Sequence, residues 1–380
     1  MSSGMAYYDH VRARSDFARQ AVNALSFEEF QGGENSSAVS LWGRDGLFAC
    51  RVLCKAPKSK LPLLVPYLLT NSEMQSRPCM RGLISGPREG EFLKMSEGQL
   101  VREASPDSLG YVWAALRPFL APVDASSAQR PSRQSNKPDR YGNYVPPKDY
   151  DCSSSPSMDA PSSLSGGSIG YAEKHSTPRL EDLSLHLIKC FARCVLNYGQ
   201  SLESASDLEI RDDRLTYRGL TPRSTLLIEA VDDGGLRLFR TNGNHYHVAA
   251  IEAKRDLGTI MDGSPTVSDH VLAQIVGEAL ALSLDDRSRP ISGSNFVTIL
   301  AAGKYIKIFH MEITEQFAQS FEDLSPAETN SDPKSFLRVN STDWFDIGDK
   351  SGRVAVANHL LGLANWANYA SRSDQMDMED

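Results

Sequence analysis

The sequence predicts a mixed α/β (α+β) fold for the C-terminal half of the chain. Three observations carry this: a long amphipathic helical pattern, a run of short strand patterns after it, and a second helical pattern before two further strands. The first helix is read from LEDLSLHLIKCFARCVLNYG, where Leu183, Leu187, Ile188, Phe191, Val195 and Leu196 recur at helical spacing and Gly199 supplies a stop. Ser176-Thr177-Pro178 offers a hydroxyl cap and a first-turn proline ahead of it. Strand candidates are Leu215 to Tyr217, Thr225 to Val231, Leu236 to Arg240 and Tyr246 to Lys254. The second helix runs from Asp269 to Leu282, with Val271, Leu272, Ile275, Val276, Ala279 and Leu280 as its apolar side. Strands Asn295 to Ala301 and Tyr305 to Ile313 follow. A last helix, Val354 to Tyr369, carries Val356, Leu360, Leu363 and Trp366 on one face. These elements define a domain over 177–370, and 371–380 reads as a frayed acidic tail.

Residues 122–176 are rich in Ser, Pro, Gly and Asn and show no apolar periodicity, so a disordered linker is expected. Tyr141, Tyr144 and Tyr150 are points where a partner could hold it, and Ser155-Pro156 permits phosphorylation. Residues 1–121 read as a small mixed α/β region, or as a layer packed on the second half. Asp16 to Leu25 looks helical. Ser37 to Leu53 suggests a hairpin turning at Asp45-Gly46. Leu61 to Leu69 and Gly110 to Leu120 are apolar segments. No catalytic motif appears there, so a protein partner is the role expected of residues 1–121 or the linker.

With 380 residues, 41% hydrophobic and 23% charged, the chain can bury a sizeable core as two domains or one large one. A formal net charge of -8 argues against non-specific nucleic-acid binding by bulk charge, leaving only a local basic patch as a route. Lys304 and Lys307, with Arg255, are candidates for that patch. No segment approaches the roughly eighteen apolar residues that a membrane span needs. The sequence MSSGMAYYDH lacks the apolar core of a secretory signal, so an intracellular location, cytoplasm or nucleus, is expected. Cys50, Cys54, Cys79, Cys152, Cys190 and Cys194 lack zinc-site spacing and read as reduced thiols.

One stretch suggests chemistry. Glu252-Ala253-Lys254 ends the apolar run Val248 to Ile251, and an acid and a lysine two apart on a strand share a face. Such groups are costly at the end of a buried strand unless they pair, bind a metal or face a solvated site. Asn242-Gly243 is the strongest hairpin signal in the chain. A two-residue loop there sets Glu252 opposite Asp233, while a bulge would make Asp232 the substitute. Asp232-Asp233-Gly234-Gly235 also suits a kinked entry, or an ordinary acidic turn. Two carboxylates supply hard oxygen ligands for Mg2+ or Mn2+, and a lysine beside them can orient water or stabilise charge on a phosphate. Gln274, with Glu278 four residues on, faces the same way along the second helix. His245 and His247 flank Tyr246 and read as a solvated turn-edge pair. Against all this stands the plain alternative of a structural Glu252–Lys254 ion pair.

In these residues the chain resembles the PD-(D/E)xK nuclease-like superfamily, and the wording of the segments is similar to fungal members of that group. Asp233 in VDDGGL takes the place of the motif aspartate, Glu252 and Lys254 in AAIEAKR match (D/E)xK, and Gln274 in LAQIVGEAL matches a helical glutamine. The resemblance covers about Leu180 to Ile313. It implies a restriction-endonuclease-like αβββαβ core and metal-dependent hydrolysis of phosphodiester bonds in DNA or RNA. Asp233 and Glu252 would ligate Mg2+ or Mn2+, with Asp232 as the alternate ligand, and Lys254 and Gln274 would complete the catalytic set. No proline precedes the aspartate, and Glu181 is the candidate for a first-helix glutamate. The alternative is an inactive nuclease-fold protein acting as an interaction module for protein or nucleic acid.

Overall fold

The computed structural model describes residues 6–32, 37–87, 90–120, 181–201, 204, 206–223, 226–240, 243–254, 260–261, 264–322 and 333–376. The expected linker, the helix cap at Ser176, Cys152 and Arg255 lie outside the described residues. Before residue 121 the helices are α1 (Tyr7–His10), α2 (Arg14–Gln20), α3 (Phe27–Gly32), α4 (Arg44–Ala49), α5 (Asn71–Gln75), α6 (Pro78–Ser85), α7 (Glu97–Glu103) and α8 (Asp107–Leu120). After it come α9 (Glu181–Gly199), α10 (Asp269–Leu284), α11 (Glu315–Ser320) and α12 (Lys350–Met376). The strands are β1 (Val52–Cys54), β2 (Ser206–Arg211), β3 (Thr216–Leu220), β4 (Leu227–Val231), β5 (Gly235–Arg240) and β6 (His245–Lys254). They continue with β7 (Ile260–Met261), β8 (Ser264–Pro265), β9 (Asn295–Ala302), β10 (Tyr305–Glu312), β11 (Leu337–Ser341) and β12 (Phe345–Asp346).

A large mixed sheet forms the middle layer, in the order β1-β11-β10-β9-β6-β5-β2, with β12 added to β10. The β2-β5-β6 stretch is antiparallel, and β6 then runs parallel to β9, as a crossover through α10 requires. β3 and β4 form a separate hairpin whose inward residues Tyr217, Ile228 and Ala230 join the core on the α10 side. β2 is a strand the sequence did not announce: four of the six residues in SDLEIR are polar, and Leu208 is its one buried hydrophobic residue.

The side chains of β6 alternate between two cores. Ala249 and Ile251 join α9, α12, α6 and α8 on one face. Glu252 points the other way, where α10 covers it and Phe296, Leu300, Phe309 and Met311 continue the apolar surface. Residues before 121 complete both cores, α1 to α4 on the α10 face and α6 to α8 on the α9 face. The N-terminal segment is thus a layer on the second half, and its own strand β1 pairs in parallel with β11. Gly277 shows how close this packing is. A Cβ there would sit 2.5 Å from Val39 Cγ1 and 3.0 Å from Trp42 Cε3.

Several expectations fail for physical reasons. The hairpin at Asp45-Gly46 is replaced by helix α4, because Gly46, Leu47, Phe48 and Ala49 are buried at successive positions rather than alternately. Burial there overrides the turn signal. Leu61 to Leu69, read only as an apolar segment, holds a 3-10 turn, Pro62–Tyr67. Gly110 to Leu120 is the body of α8. The last helix extends to Met376, through the segment expected to fray. His247 is half-buried, with its Nε2 shielded, rather than solvated.

Gly277→Ala should lower stability by about 1–3 kcal/mol through overpacking against Val39 and Trp42. Urea unfolding followed by tryptophan fluorescence checks this, and a neutral result would mean that the N-terminal layer does not seat on α10 as described.

Candidate functional site

The site stands where the end of β6 meets α10. Asn242 lies outside the described residues, but the Arg240 amide donates to the Asn244 carbonyl, so pairing near the turn is displaced by one residue from the register that a two-residue loop would set. An irregularity between Leu236 and Arg237 then leaves Val248 as an extra residue on β6 and restores the original register. Gly235 pairs with Ala250, and the Asp233 amide donates to the Ile251 carbonyl. Asp233 therefore arrives beside Ala253, whose amide donates to its Oδ2 at 3.1 Å. Gly234 has φ +139°, and a Cβ there would lie 2.8 Å from Lys189 Nζ. At Gly235 a Cβ would lie 2.5 Å from the Ala249 carbonyl, so both glycines are required by close approach.

Four predicted residues converge. Lys254 Nζ donates to Glu252 Oε1 at 2.5 Å and to Gln274 Oε1 at 2.9 Å. Gln274 Nε2 donates to Glu252 Oε1 at 2.7 Å and to Glu278 Oε1 at 2.9 Å. Lysine offers donors alone and carboxylates accept, so these partners fix which way the Gln274 amide faces. Asp233, Glu252, Gln274 and Glu278 are all buried. Glu252 Oε2 and Glu278 Oε2 are buried without a hydrogen-bond partner among the described residues.

Burial pushes the Glu252 carboxyl up to about 7, with the negative charges of Asp233 and Glu181 adding to it and Lys254 opposing. Glu278 is raised well above the carboxylate range by burial and by the charge of Glu252. Burial works against the Lys254 ammonium, yet Glu252 holds its pKa above the ordinary value. Glu181, first residue of α9, acts electrostatically on both Glu252 and Lys254, which places the first-helix glutamate within the field of the site.

Asp232 does something else. It accepts from Arg211 and Tyr217, both at short range, from the Leu215 amide at 2.9 Å and from the Gly234 amide at 3.2 Å. Its oxygens are thus spent on tying β2, β3 and the glycine turn together. Burial raises its pKa against the pull of Arg211. His247 completes this neighbourhood, with Nδ1 3.4 Å from the Tyr217 hydroxyl and its pKa driven down to about 3 by burial and by the Arg211 charge. The two histidines differ in setting: His245 is exposed, while His247 is half-buried with its Nε2 out of water.

Lys304 and Lys307 do not form a basic patch. Lys304 pairs with Asp346 at 2.7 Å. Lys307 is buried, donates to the Thr342 carbonyl at 2.6 Å and lies over the rings of Tyr8, Phe309 and Trp344. The cations that do border the site went unremarked in the sequence. Lys189 donates to the Asp233 carbonyl at 3.0 Å and the Asp212 carbonyl at 3.3 Å. Arg214 pairs with Asp233 Oδ1 at 3.1 Å. Neither belongs to a motif, and each is brought in by tertiary structure alone.

Two carboxylates fit Mg2+ or Mn2+ sparingly. Among the described residues no group of three or more His, Cys, Asp or Glu could hold a metal ion. Mg2+ is commonly bound through one or two carboxylates and completes its shell with water and phosphate oxygens, so Asp233 and Glu252 meet the minimum. The unpartnered Glu252 Oε2 is an oxygen of the right kind. Comparison with protein-family models, with curated proteins and with solved structures finds no match to this chain.

Asp232→Asn should cost about 3–5 kcal/mol, because it strands the buried Arg211 charge. Asp233→Asn keeps an acceptor for the Ala253 amide and loses a half-exposed ion pair, so it should cost about 1 kcal/mol or less. Equal losses in chemical denaturation would refute this division of labour.

Glu252 also sets a pH dependence. Its folded pKa lies above the carboxylate's ordinary 4.5, so the stability it contributes is complete below pH 4.5 and declines as pH rises through about 7. In EDTA the melting temperature of wild type relative to Glu252→Gln should fall across that window. A flat difference would show that Glu252 is not held out of water.

Proposed function

We propose that this protein is a metal-dependent nuclease-like hydrolase acting on phosphodiester bonds in DNA or RNA. The observation that carries the reading is the convergence of Asp233, Glu252, Lys254 and Gln274 into one cluster, with Asp233 bonded to the Ala253 amide and the other three bonded to one another. The order α9, β2, β5, β6, α10, β9, with an antiparallel meander and then a parallel strand, supports the restriction-endonuclease-like αβββαβ core. Asp233 and Glu252 would hold Mg2+ or Mn2+. When bound, the ion supplies Lewis acidity toward a phosphoryl oxygen. Lys254 holds a positive charge beside Glu252, suited to steady the negative charge that grows on phosphate oxygens during attack. Gln274 keeps Lys254 and Glu252 in register, and Glu278 keeps Gln274 from turning over.

A second reading is an inactive nuclease-fold module for binding protein or nucleic acid. It is favoured by the self-sufficiency of the cluster, in which Lys254 and Asp233 already have charged partners. Purified protein with Mn2+ or Mg2+ should cleave oligonucleotides from a panel of single-stranded and duplex DNA and RNA, and Glu252→Gln and Lys254→Met should each lower the rate by at least about a hundredfold. Mn2+ uptake measured by calorimetry should strengthen as pH rises toward 7, because the cation displaces a proton from Glu252. Mn2+ uptake without cleavage of any substrate would favour the binding module; no uptake at all would remove the metal from both readings.

A further inference from the structure

Among the described residues, three cations around the site are tied down, and Arg214 is held less closely. Lys254 is held by Glu252 and Gln274, Lys189 by the carbonyls of Asp212 and Asp233, and Arg211 is buried on Asp232. Arg214 differs. Its side chain is 47% exposed, while the Asp233 side chain it pairs with is 4% exposed. Asp233 Oδ2 accepts from a backbone amide, while Oδ1 is met at 3.1 Å by the partly exposed Arg214. A divalent cation taking Oδ1 competes with Arg214 for it.

Resting on the nuclease-like reading, we infer that Arg214 is an exchangeable counter-ion: it competes with the divalent cation for Asp233 Oδ1 and, once displaced, binds a phosphate oxygen of the phosphodiester substrate. The exchange is cheap on the arginine's side, since Arg214 is about half exposed and the cation replaces its charge on the buried Asp233. It is also local. The loop that carries Arg214 is pinned on both sides, by the Arg211 guanidinium on the Asp213 carbonyl and by the Leu215 amide on Asp232 Oδ1. The backbone stays while the side chain moves. A guanidinium offers a planar fork of donors that matches two phosphate oxygens, which the ammonium of a lysine does not. The displaced arginine therefore brings a positive charge to the substrate at the moment the carboxylate is covered.

The exchange predicts opposite signs for two affinities. In Mn2+ calorimetry, Arg214→Gln should bind the ion about threefold to fivefold more tightly than wild type, the gain expected from removing a half-exposed competitor. In fluorescence anisotropy with labelled oligonucleotides in Ca2+, the same variant should bind more weakly across all sequences, with the salt slope reduced by about one. Arg214→Lys keeps the charge and loses the fork, so its Mn2+ affinity should stay near wild type while its oligonucleotide affinity drops. Arg237→Gln, which removes a surface arginine paired with Glu209, should change neither. The exchange is overturned if Arg214→Gln leaves Mn2+ affinity unchanged or weakens it, or if oligonucleotide binding does not fall. If wild type itself takes up no Mn2+, the metal site fails together with the exchange; Mn2+ uptake with the wrong sign in Arg214→Gln sinks the exchange alone.

Discussion

The parallel pairing of β6 with β9 is the constraint on which the rest depends. It forces a crossover through α10 and thereby lays that helix over the end of β6. Glu252 stands opposite Leu300 in this ladder, inside the sheet, with α10 above it. An acid in such a place must be compensated. Lys254, its strand neighbour, and Gln274, descending from α10, do so, while Asp233 enters on the turn before β5 and adds a second negative charge. The apolar layers on both faces hold these elements still, so the polar cluster is a product of the packing around it.

Two adjacent aspartates show how one residue's displacement separates structure from chemistry. Asp232 is consumed by Arg211, Tyr217 and two backbone amides, and it joins the β3–β4 hairpin to the sheet. Asp233 keeps one oxygen toward a half-exposed partner. The chain spends the first to place the second. The same economy appears at Glu278, which has no charged partner of its own yet gives the Gln274 amide its second acceptor.

Much of this was legible in the residues, and the illegible part has identifiable causes. Periodicity marked α9, α10, β5, β6, β9 and β10, because each is long and has a clear apolar side. That Asp233 reaches the end of β6 followed from register counting, although by a route the residues did not disclose: a one-residue displacement near the turn and a bulge cancel one another. β2 was hidden because it alternates only weakly, and α4 was misread because a Gly in a helix packed against Phe30 looks like a Gly in a turn. Arg214 and Lys189 were invisible for a deeper reason. Their partners are remote or lie on a neighbouring turn, and no local pattern encodes which charged side chain will reach across. Lys307 errs the other way, a cation that reads as surface and is enclosed by three aromatic rings.

The shared layering has a consequence for how the protein is made. β1 pairs with β11, and the Leu61 amide donates to His359 across 298 residues of chain. Contacts so distant in sequence are paid for in loop-closure entropy before they stabilise anything, which slows folding. During synthesis the apolar residues of α1 to α8 emerge well before α9, α10 and the sheet that cover them. Until then they are exposed, and the edge strand β1 has nothing to pair with. Fragments cut on either side of residues 121–180 would each carry half of two unfinished cores.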